Sequence, residues 1–194
     1  MFTQAHLLHE RGLTSGQVLL NCYGVPFPFE IFILNESGKL ANRFPVDFTN
    51  QPWKLISSQV KDSAQVHLSS MAKLEQVILD RDPDLVPLAL LVDSSALHGG
   101  KLVCYRLTEL SAGRSTVYSL PRCLPPDTDA VRAGESFLSV MHEHHASVHD
   151  QWQRRLDSVS NRGDGSMDEG TVAEARAWLN DIEDLQQQVV QRSA

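Results

Sequence analysis

Val86-Pro87-Leu88-Ala89-Leu90-Leu91-Val92 is the stretch on which the reading of the fold turns. It is nearly all apolar, too short to cross a membrane, and lacks the polar positions of a half-exposed element. It therefore reads as a strand covered on both faces, at the centre of a sheet. Downstream, Gly99-Gly100 breaks the chain before Lys101 to Leu110, where Leu102, Cys104, Tyr105 and Leu107 include a partly alternating pattern. Ala112-Gly113 then turns into Thr116 to Leu120, which is expected to close a loose hairpin. Upstream, Asp82-Pro83 ends a helix expected from about Ser69 to Asp80, whose Met71, Leu74, Val77 and Ile78 recur at helical spacing.

Further towards the N-terminus, Trp53 to Val60 has a shorter helical texture. Gln17 to Tyr23 and Phe27 to Leu34 are rich in apolar residues, with Pro26 and Pro28 holding the backbone extended, and are read as strands. Asn35-Glu36-Ser37-Gly38 is a turn signal that lets Lys39 to Phe48 return antiparallel, at an edge or bulge because Pro45 has no N–H to give a central ladder. Residues 3 to 12 are expected to form a short opening helix, capped by Thr3 and stopped by Gly12. Strands that come in runs, and do not alternate singly with helices, predict an α+β fold. The expected form is an antiparallel-dominated mixed sheet of five or six strands with helices on one face.

The last third of the chain carries the clearest periodicity. Between about Asp129 and Val159, Phe137, Met141, His144, Val148, Trp152, Leu156 and Val159 recur at intervals of four and three. They form one stripe on a helix about 45 Å long. Ser158 to Gly170 is a polar connector, and Thr171 with Glu174 makes a capping box for a second helix with Ala175, Trp178, Ile182, Leu185 and Val189 on one seam. Burying a Trp or Leu contributes roughly 1.5 to 3 kcal/mol, so neither seam is expected to stay in water. The expected organisation is an α+β body over 1–124 and a long C-terminal two-helix hairpin over 125–194, packing on the body or on a partner chain. Two helices with heptad-like spacing are a common dimerisation device. Phe137, Met141, Val148, Trp152, Trp178, Ile182 and Leu185 are accordingly the expected partner-binding residues.

Composition bounds the rest. Apolar residues make up 42% and charged residues 21% of 194 positions, an ordinary globular balance. A formal charge of -7 without any cluster of Lys and Arg gives no electrostatic reason to bind nucleic acid. Cys22, Cys104 and Cys123 are odd in number and lack CxxC spacing, which favours reduced thiols over a disulfide framework or a zinc knuckle, and Cys104 reads as a small core residue. His6, His9, Glu10 and Arg11 interrupt the stretch where a secretory signal needs apolar residues, and no window supplies the ~18 apolar residues of a spanning helix. A cytoplasmic protein with no membrane partner is expected.

Two constellations invite a chemical reading. On a wheel of about 100° per residue with His142 at zero, His145 falls at about 300°, His149 at about 340° and Glu135 near 20°. One carboxylate and three imidazoles thus share a flank beside the apolar stripe. Zinc accepts such nitrogens, and His142, His145, His149 and Glu135 are the candidate ligands for a divalent metal. The arrangement is not HExxH, because His142-Glu143-His144-His145 turns Glu143 away from the others. The plainer reading is a polar shoulder beside a packing seam, with His144 at the seam itself and no cofactor. The second constellation is Asp93-Ser94-Ser95 with His98, in the loop after the apolar strand, where a hydrolase triad would need partners from elsewhere and no GxSxG elbow is present. The RGD string at 162–164 is read as solvated connector.

Strong packing patterns beside absent catalytic ones favour a non-enzymatic binding or adaptor protein acting through protein–protein contacts, with a protein partner or a second copy of itself. The alternative is a metal-dependent enzyme using the helical histidines. In element order alone, over roughly residues 3 to 156, the chain loosely resembles the type III secretion chaperones, dimers that bind unfolded effector segments. That resemblance implies a chaperone-like or accessory role; the extra strand and the tail after Ser158 depart from it.

Overall fold

The computed structural model describes residues 2–37, 46–48, 70–92, 100–121, 128–160 and 166–193. In chain order the elements are α1 (Phe2–Glu10), α2 (Ser15–Tyr23), α3 (Phe29–Glu36), β1 (Val46–Phe48), α4 (Ser70–Arg81), β2 (Leu85–Val92) and β3 (Gly100–Arg106). They continue with α5 (Leu107–Ser111), β4 (Val117–Pro121), β5 (Val131–Gly134), α6 (Phe137–Ser160) and α7 (Ser166–Ser193). The expected class holds: helix and strand are mixed, the sheet is antiparallel and the C-terminal region is helical. Among the described residues no helix is long and apolar enough to cross a membrane.

The sheet is an antiparallel meander of β2, β3, β4 and β5, edged by the three-residue β1 against β2. β2 is the apolar run, and Leu85 to Leu91 are all buried. Its pairing with β3 slips between Pro87 and Ala89, where proline has no N–H for the ladder.

Of the three strands expected before residue 50, the first two are helical, and the described end of the third, Val46–Phe48, is a strand. Gln17 to Tyr23 lies in α2 because Thr14 and Gln17 close a reciprocal capping box. The Gln17 amide donates to Thr14 Oγ1 at 3.3 Å, and the Thr14 amide donates to Gln17 Oε1 at 2.9 Å. Gly24 ends this helix in the left-handed conformation with φ 74°. Phe27 to Leu34 contributes α3, since Pro28 stands ahead of a first turn that has no need of its N–H. Burial of Phe27, Glu30, Ile31 and Leu34 follows the helical spacing of three and four. β1 pairs with β2 through Val46↔Leu91, not with a neighbouring N-terminal strand. The remainder of the expected 39–48 strand and the expected 53–60 helix lie outside the described residues.

Helices cover both faces of the sheet, not one. Val86, Leu91, Val103, Tyr105 and Val117 face a core shared with α2, α3, α6 and α7, through Leu19, Ile31, Leu34, Phe137, Met141, Ile182 and Leu185. On the other face Leu85, Leu90, Leu102, Cys104 and Leu120 pack with Ile78 of α4. The alternation of β3 makes the division physical: 103 and 105 point one way, 102 and 104 the other.

The boundary expected at 124/125 falls outside the described residues. β5 is a strand of the sheet, and α6 starts only at Phe137, later than the expected Asp129. Ser136 caps it, with its hydroxyl accepting from the Ser139 amide at 3.2 Å while Ser139 Oγ accepts from the Ser136 amide at 3.3 Å. α7 likewise begins at Ser166, which places the expected capping box of Thr171 and Glu174 inside the helix.

Candidate binding cleft

Glu30 fastens three elements together. It sits on the first turn of α3, is 5% exposed, and turns its carboxylate onto the start of α6. Oε1 accepts from the Phe137 amide at 2.7 Å and from the Tyr105 hydroxyl at 3.0 Å, and Oε2 accepts from the Leu138 amide at 3.1 Å. The Ser136 hydroxyl adds a fourth hydrogen bond. The first amides of a helix have no partner within it and carry its positive end, so a carboxylate there replaces the water they would otherwise need.

Burial raises the pKa of Glu30 and the four hydrogen bonds pull it back, leaving it above the ordinary value. Tyr105 is pushed well above its ordinary value, by burial first and then by the neighbouring carboxylate. Its ring meets Phe27 edge-on at 6.1 Å, and Phe27 meets Tyr23 at 5.2 Å. A carboxylate has about four acceptor positions, so this one is saturated: it builds a wall and has no capacity left for a substrate.

That wall forms one side of a cleft of about 370 Å³. Pro28, Phe29 and Glu30 supply the α3 side, Ser136 and Leu138 the α6 side, and Gln186, Val189 and Val190 the α7 side. The rim is apolar and open, with Phe29 42% and Val190 69% exposed. Arg192 holds the corner: its guanidinium lies 5.9 Å from the Phe29 ring centre and pairs with Glu36 at 3.3 Å. Beyond Pro28 and Ser115 lies a smaller cleft of about 240 Å³ that includes Pro26, Leu110 and Arg114. Arg114 is forked onto Glu109 at 2.7 and 2.8 Å, and that contact first, with Thr116 behind it, holds Glu109 down at about 2.

The residues expected to meet a partner are turned inward. Phe137, Met141, Ile182 and Leu185 are fully buried and Val148 is 2% exposed, all within their own chain. Trp178 is half-buried against the same core, and half-buried Trp152 lies under the Arg155 guanidinium at 5.1 Å. The two seams close on each other, with α7 also against α3, so the hairpin is packed on its own body.

The candidate metal ligands are not brought together, and among the described residues no group of three His, Cys, Asp or Glu side chains is placed to hold a metal ion. His142 Nε2 lies 3.2 Å from Glu183 of α7, His149 Nδ1 lies 3.4 Å from its neighbour Asp150, and Glu135 pairs with Arg132. His145 is fully buried between α6 and α7 against Trp178, with ring centres 5.5 Å apart. Burial, then His144 and His142, press its pKa down to about 3, so its ring is neutral. The seam position belongs to His145, four residues after Met141, and not to His144, which is half-buried with Nε2 3.1 Å from the Val92 carbonyl oxygen. Cys104 is a buried core residue of β3, as expected. Asp93, Ser94, Ser95, His98, Cys123 and the RGD string lie outside the described residues.

Glu30 is not among the candidate residues that the sequence patterns single out. Its signal was present: a lone acid inside the apolar run Phe27 to Leu34 must be paired if it is buried. No protein-family model matches the chain, and no curated protein or solved structure is significantly similar to it.

Proposed function

We propose that the protein is a non-enzymatic binding protein, an adaptor or accessory subunit, which seats an apolar side chain of a protein partner in the cleft between α3 and the C-terminal end of α7. The observation that carries this reading is the contrast in burial. The helical seams are sealed, while Phe29 and Val190 stand exposed on either side of a cleft whose lining also includes Leu138 and Val189. Uncovering such residues in water has a cost that a partner's apolar side chain would remove. The buried carboxylate serves this reading by fixing the start of α3 against the start of α6, so that the cleft is preformed. A chaperone-like role, in which the apolar side chain comes from an extended segment, is the form of this proposal that a shallow open cleft suits best.

The test places a photoreactive residue at position 190 and, as a control, at Arg176, an exposed position of α7 that is absent from the cleft lining. Irradiation in native extract is expected to yield a discrete adduct from position 190 alone, abolished by Phe29→Asp. Identical adducts from both positions, or none from 190, would remove the cleft from consideration.

A further inference from the structure

No further inference is drawn: the strongest candidate, the smaller cleft bounded by Pro26, Leu110 and Arg114, shares Pro28 and Ser115 with the site already described, and nothing in the structure shows what covers it.

Discussion

Replacing Glu30 by alanine removes the acceptor for three buried donors, the backbone amides of Phe137 and Leu138 and the hydroxyl of Tyr105, and for the half-buried hydroxyl of Ser136. A buried donor left without a partner costs about 1 to 3 kcal/mol. Three such losses would exceed 3 kcal/mol, but two effects oppose them. The carboxylate no longer has to be desolvated, and the adjoining cleft lets water reach part of the space. A net destabilisation of about 3 kcal/mol is expected. With a urea slope of about 2 kcal/mol per M, the unfolding midpoint should fall by about 1.5 M.

Tyr105→Phe takes away one donor and leaves the other three, so a loss of about 1 kcal/mol is expected. The double variant should be less destabilised than the sum of the singles by about 1 kcal/mol, because the two groups share a hydrogen bond. Glu30→Gln also fixes the sign of the pH effect. Since the folded pKa is raised, the folded chain holds this proton more tightly than the unfolded one. The stabilising contribution is therefore fully present below the ordinary carboxyl value and is lost as pH rises through the folded value. The glutamine variant should lack that limb. A Glu30→Ala midpoint within roughly 0.2 M of the parent, with energies that simply add to those of Tyr105→Phe, would mean that the carboxylate does not hold α3 to α6.

His145 has a folded pKa of about 3 against an ordinary 6.5, so its neutral ring contributes stability above pH 6.5 that is lost as pH falls towards 3. By pH 5 this amounts to roughly 2 kcal/mol. Urea unfolding at pH 7 and pH 5 should show that loss in the parent and not in His145→Leu, and equal pH slopes in the two would contradict it. Ile182→Ala, at a fully buried position in the seam, should cost about 2 to 4 kcal/mol in the isolated chain; a cost that appears only at concentrations where the chain self-associates would place that seam at an interface instead. Gly100→Ala meets both a φ of 139° and a Cβ only 2.7 Å from the Leu91 carbonyl oxygen, so a loss of at least about 2 kcal/mol is expected from thermal unfolding.

Period and punctuation explain how much of the fold the sequence disclosed. The run 86–92 needs no partner to be recognised, because continuous apolar character over that length fits few alternatives, and the stripe from Phe137 onward is long enough for its spacing to identify a helix. The α2 and α3 segments were harder. Their apolar residues are dense enough to suit either period, and Pro26 and Pro28 suit an extended chain as well as a helix start. Thr14 with Gln17 was the deciding signal, and it is visible in the sequence once a capping box is looked for there. The direction in which the seams close could not be read, because Ile182 and Leu185 have the same spacing whether they meet Ile31 and Leu34 of their own body or a second chain. The cleft was hidden for a related reason: it joins residues 28–30, 136–138 and 186–190, and only the packing of α7 on α3 brings those segments together.

Hydrogen exchange on the protein, alone and with the partner captured at position 190, distinguishes a hairpin already closed on its own body from one that closes on binding. The amides of Met141 to Val148 and Ala175 to Leu185 are expected to exchange slowly already in the free chain. Binding should then add protection only around Phe29 to Ile31 and Gln186 to Arg192. If the helical seam gained its protection only when the partner was present, the closed hairpin and the cleft reading built on it would both be contradicted.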